Sequence, residues 1–234
     1  MDASRITLPH PKTTASRVGL LAIAMAALAA LAFFVHTAVP YLRLDPGVLA
    51  RYASRRGWVL VHIAAAGVAL LTGPVQLWLG ISRRGTRVHR WLGRIYVVHV
   101  GIGSIAAFYL AANTELGWGF GIGITGLGVA WVVTTGMAVA AISRGAIEQH
   151  REWMIRSYVV TFAFVTFRVA WTVLKAAGIG TLSEQLAMCS WFCWAVPLLA
   201  TEVVIEGRRL LVYHPPAPAA TREPVHRTTI SVNG

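Results

Sequence analysis

The sequence predicts an all-α, polytopic membrane protein: a bundle of six transmembrane helices with both termini in the cytoplasm. Three observations predict it. Of 234 residues, 56% are hydrophobic and only 13% charged, with a mean hydropathy of +0.61, which does not fit a soluble globule. The apolar residues gather into six runs, each long enough to cross a hydrocarbon core of about 30 Å with about 20 residues. The basic residues lie between those runs rather than along one polar face, so the formal charge of +12 reads as membrane topology and not as a nucleic-acid surface.

The runs are placed at 18–42, 58–79, 91–112, 120–142, 154–174 and 186–205. The first contains the small residues of "AMAALAALA", which resemble a signal-peptide cleavage region, but its apolar stretch exceeds a usual signal core and it is read as a retained span. The second is expected to stop at Gly80, because Ser82, Arg83 and Arg84 open a polar loop. The fourth carries "GIGITG", which matches a dinucleotide-binding pattern. That fingerprint needs a strand before it and a helix opening in water, so these glycines are read instead as sites of close helix approach. The sixth holds Cys189 and Cys193, four residues apart on one helical face and read as small packing residues. Trp58, Trp91, Trp118 and Trp153 fall near span ends, where indole rings favour the headgroup layer.

Charge sets the orientation. Arg5, Lys12, Arg17, Arg83, Arg84, Arg87, Arg90, Arg144, Arg151, Arg208 and Arg209 collect on one side, whereas the other gathers Arg43, Arg51, Arg55 and Arg56 in a single loop. The richer side is expected to be cytoplasmic, in a bacterial inner membrane. The chain then divides into a cytoplasmic segment at 1–17, a membrane domain at 18–206 and a Pro- and Ala-rich, disordered cytoplasmic tail at 207–234.

Ionisable groups in or beside the spans are the functional candidates, because such groups usually face the protein interior or a wet cavity. At a rise of about 1.5 Å per residue, His36 and His62 lie about 9 and 6 Å from the outer ends of their spans and could meet there. His89 and His150 stand at two cytoplasmic span entrances, while His99 fits neither level. Histidine pairs at both faces would suit a transmembrane electron carrier with haem b, with His89 and His150 as the leading axial pair. Arg94, Arg156 and Arg168 would then receive propionates, and Glu202 is expected to pair with Arg94 or Arg156. His89 and His150 with Glu148 or Glu152 offer a second possibility, a metal site. A third is a carrier or binding protein for an anionic small molecule or lipid headgroup with no redox group, since a basic mouth suits phosphate and carboxylate. Packing, interfacial anchoring and orientation alone would also account for several of these side chains.

Four separated blocks, "VHIAAAGVALLTGPVQ", "VHRWLGRIYV", "GVAWVVTTGMAVAAISRG" and "HREWMIRSYVVTFAFVTFR", resemble a bacterial family of predicted multi-pass membrane proteins, domain of unknown function 2306. The resemblance runs from about Trp58 to Glu202 and implies a shared polar set at His62, Pro74, His89, Arg94, Trp131, His150, Trp153, Arg156 and Arg168. It implies no activity, and it does not reach His36. The resulting expectation is one polar site built around His62, His89, His150, Arg94, Arg156 and Arg168, with the lipid bilayer as a partner, an anionic ligand or redox protein as a further one, and no nucleic acid.

Overall fold

The computed structural model describes residues 14–82 and 86–212, and among these it contains helices and connecting turns but no strand. Helix α1 (Thr14–Phe33) widens into a π-helical turn at Phe34–Ala38 and ends in the short α2 (Val39–Leu42). Pro40 accounts for the widening, because its ring clashes with the carbonyl four residues back, and Val39 bonds Phe34, five residues back. A polar connection follows: α3 (Pro46–Leu49), whose N-terminus is capped by Asp45 accepting from the Gly47 N–H at 2.8 Å, and a 3-10 stretch, Ala50–Arg55.

The remaining helices are α4 (Arg56–Ser82), α5 (Thr86–Ala112), α6 (Trp118–Ser143), α7 (Ile147–Thr161), α8 (Ala163–Ala177) and α9 (Leu182–Val212). Thr181 and Glu184 start α9 with a capping box, the Thr181 N–H donating to Glu184 at 2.7 Å and the Glu184 N–H to Thr181 at 3.4 Å. Among the described residues five helical segments are long and apolar enough to cross a membrane, and there are six if α7 and α8, bent by 42° at their junction, are taken together as one span.

Each apolar run is therefore helical, with three revisions. The second span continues past Gly80 to Ser82, and α9 continues past residue 206 to Val212. The fifth span is broken rather than straight. Thr161 turns its hydroxyl back onto the Ser157 carbonyl at 2.8 Å, a bond that bends helices, and Phe162 follows with ψ of −3° before α8 restarts. Arg83, Arg84, the segment 1–13 and the tail from 213 lie outside the described residues.

With six crossings, the start of α1 and the end of α9 share one face of the bundle, called here the terminal face. α4 packs chiefly on α5, and α6 packs on α5, α7 and α9, whereas α1 leans on α4 with most of its surface exposed. The core is centred on Tyr96, Val100, Trp131, Val160, Phe167, Cys189 and Cys193. Both cysteines are free and fully buried, so they pack as small apolar side chains. The "GIGITG" glycines are helical within α6. A Cβ on Gly123 would collide with Ser190 of α9, and one on Gly128 would sit 2.7 Å from Phe108 of α5. Missing side chains are thus what lets α6 approach both neighbours.

Candidate functional site

The residues expected to form one site occupy two regions. On the face opposite the termini, a cavity of about 400 Å3 opens between the first span, α4, α5, α6 and the α7–α8 bend. Its wall is mainly apolar, with Phe34, Phe120, Phe164 and Trp131 prominent, while its polar groups include Arg55, His62 and Arg168.

His62 projects from α4 near the middle of this wall. A carbonyl can only accept, so the 2.9 Å contact from His62 Nδ1 to the Gly103 carbonyl places the ring proton on Nδ1. The lone pair is left on Nε2, with no hydrogen-bonding partner among the described residues. Phe164 meets the imidazole edge-on, with ring centres 6.3 Å apart, and holds its orientation.

Arg168 stands on α8, one turn beyond Phe164 toward the cavity mouth. The structure gives it the ring of Trp171, 5.8 Å from the guanidinium carbon, but no carboxylate among the described residues. It is exposed at the mouth rather than buried in the bundle, because the bend at Phe162 redirects α8. Arg55 completes the mouth. It is ion-paired with Glu115 of the α5–α6 connection, and its Nε is buried without a hydrogen-bonding partner among the described residues. The side chain of Arg55 is 13% exposed and that of Glu115 is 82% exposed, so the cation belongs to the wall and the anion to its outer rim.

His36 does not join His62. It is exposed on the π-helical turn, while its neighbours Phe33, Phe34, Thr37 and Ala38 face the cavity, so the outer histidine pair does not form.

The terminal face gathers the remaining candidates. His150 Nδ1 donates to the Ala138 carbonyl at 2.9 Å, and His89 lies within electrostatic reach of His150. The Gln76 amide donates to the His89 carbonyl at 2.8 Å, and Gln76 Oε1 and His89 Nδ1 are buried without a hydrogen-bonding partner among the described residues. Arg156, expected to receive a ligand, is instead bound in two places by Glu202, with a 2.8 Å bond from Nη2 and a second from Nε. Glu152 stands 3.8 Å from Arg156 and also pairs with Arg209, while Trp153 covers the Arg156 guanidinium at 4.7 Å. This network joins α7 to α9 and leaves Arg156 poorly placed to hold an incoming anion. Arg94 is exposed and has no ion-pair partner among the described residues, so Glu202 selects Arg156 of the two expected partners. Glu148 is held by Arg151 at 3.1 Å, and no group of three or more metal-ligating side chains occurs among the described residues. His99 Nδ1 donates to the Ile95 carbonyl of its own helix at 2.7 Å.

Between the two regions runs a chain of buried hydroxyls that sequence reasoning missed. Thr161 donates to the Ser157 carbonyl, so its oxygen is free to accept from Trp131 Nε1 at 2.7 Å and from Tyr96 at 2.6 Å. Each hydroxyl has one proton, which sets the rest: Ser157 donates to Tyr96 at 2.8 Å and Thr135 donates to Ser157 at 2.7 Å. Thr and Ser carry little signal in an apolar run, because they routinely bond their own helix, as Thr72, Thr125 and Thr201 do here.

Residues 59–205 match a family described as predicted membrane protein (DUF2306), and no curated protein or solved structure matches the chain. That match covers well over half of the sequence and includes His62, His89, Arg94, His150, Arg156, Arg168 and Glu202, but not Arg55 or Arg209. The chain, a helical membrane protein with several spans, belongs to the family of predicted membrane proteins of unknown function DUF2306.

Proposed function

We propose that this protein binds an amphipathic anion, with an acidic head at Arg168 and Arg55 and an apolar body inside the cavity. One observation carries the reading: Arg168, with no carboxylate partner among the described residues, stands at the mouth of a mainly apolar cavity of about 400 Å3. Small-molecule sites commonly enclose about 300–1,000 Å3 and combine apolar walls with a few polar groups that set orientation. A guanidinium beside such a wall favours a carboxylate or phosphate through charge-assisted hydrogen bonds, while the wall takes the apolar part. This reading is favoured over electron transfer across the bilayer, because His36 is exposed outside the cavity and no second histidine among the described residues lines it.

If the richer basic side is cytoplasmic, the cavity opens to the outside, and the protein acts as a receptor or carrier for such anions at the inner membrane. The test is equilibrium binding of a fluorescent long-chain carboxylate to protein in nanodiscs. Arg168→Gln should weaken binding about tenfold, the loss of one charge-assisted contact. Equal affinity of wild type for the carboxylate and for its neutral alcohol would overturn the reading.

A further inference from the structure

We infer that the amphipathic anion is an iron porphyrin bearing two propionates, a haem, with His62 Nε2 as its axial ligand. The inference rests on the anion-binding reading and adds to it an imidazole that reading leaves idle. A simple carboxylate with an alkyl tail has nothing to offer His62. Its imidazole sits among apolar side chains, its Nδ1 proton is held by the Gly103 carbonyl, and its Nε2 lone pair has no partner among the described residues.

His62 lines the cavity, so a ligand there can supply this acceptor with a proton donor or a metal. Donation of the other ring proton to a backbone carbonyl is also how metal-binding histidines are usually oriented and made more basic.

The spacing then separates head from body. Arg55 lies seven residues before His62, about 10 Å away along the chain at helical rise, and Arg168 lies one turn, about 6 Å, beyond the Phe164 ring that touches His62. Both guanidiniums are therefore on the mouth side of the imidazole, as two propionates require when the macrocycle lies inward. Arg168 has no carboxylate partner among the described residues, and Arg55 has a buried Nε without one and a rim carboxylate, Glu115, that a propionate can displace. Among the described residues the cavity holds no second histidine, so the bond assigned is a single protein ligand to iron, with no electron transfer step.

The experiment uses full-length protein in mild detergent, titrated with ferric haem and, in parallel, with the fluorescent long-chain carboxylate. Wild type should take up one haem and shift its Soret band. His62→Gly should abolish that shift, and added free imidazole should restore it, an outcome that a merely structural role for His62 would not produce. Arg168→Gln should weaken haem uptake about tenfold with the same spectrum.

His89→Ala, outside the cavity, should match wild type. A wild-type spectrum unchanged by His62→Gly, or lost equally in His89→Ala, overturns the haem assignment. If Arg168-dependent carboxylate binding persists in that case, the anion site stands without haem; if it is absent too, both readings fall. Should His62→Gly not fold, His62→Gln, which keeps a polar side chain, replaces it with the same expected loss.

Discussion

Arg156 on α7 and Glu202 on α9 form a two-point ion pair across 46 residues of sequence, and it joins the bend of the fifth span to the last helix. Arg156 is only 6% exposed, whereas the Glu202 side chain is 38% exposed. Glu202→Ala should therefore destabilise the protein by about 2 kcal/mol, less than the 3–5 kcal/mol of a fully buried pair, because water and Glu152 still reach the guanidinium. Replacing both partners, Arg156→Met with Glu202→Leu, should recover much of the loss. Thermal unfolding in detergent reads both variants, and a double variant weaker than Glu202→Ala would contradict this account.

Helix approach at α6 gives a second test. Gly128→Ala puts a methyl group 2.7 Å from the Phe108 ring and should cost about 1–3 kcal/mol. Gly136→Ala, on the same helix with nothing within 4 Å, should be neutral or slightly stabilising. The measurement is the difference in melting temperature between the two variants, and equal behaviour would refute close packing at Gly128.

The Tyr96 hydroxyl accepts from Ser157 and donates to Thr161 in the buried core. Tyr96→Phe leaves the Ser157 proton without its acceptor and should cost about 1–3 kcal/mol, with little loss of packing volume. Chemical denaturation of the purified variant checks it.

Glu115 competes with an incoming anion for Arg55. Because its side chain is 82% exposed, Glu115→Gln should change stability by less than about 1 kcal/mol. The same variant should bind the long-chain carboxylate several-fold more tightly, and the difference from wild type should shrink as salt rises. Titration at two ionic strengths reads both effects.

Cys189 and Cys193 are wholly buried, so a membrane-permeant maleimide should label neither in folded protein and both after denaturation. Intact mass before and after unfolding gives the count directly.

Six apolar runs, their helical state and their approximate ends are legible in the sequence, because spanning a bilayer demands about 20 apolar residues with every backbone group bonded internally. The packing roles of the cysteines and of "GIGITG" are legible for the same reason: only a helix satisfies the backbone there, and small side chains let helices approach. His62 and Arg168 are visible as polar groups in apolar surroundings, and Glu202 as the partner of one arginine among two. What hydropathy could not contain is which helix faces which. Tertiary packing turned His36 outward and engaged Arg156 with Glu202. The bend at Phe162 decided the setting of Arg168, bringing it to the mouth of the cavity that holds His62. Depth along a helix follows from counting residues, but direction around its axis is decided by its neighbours, and the site depends on that direction.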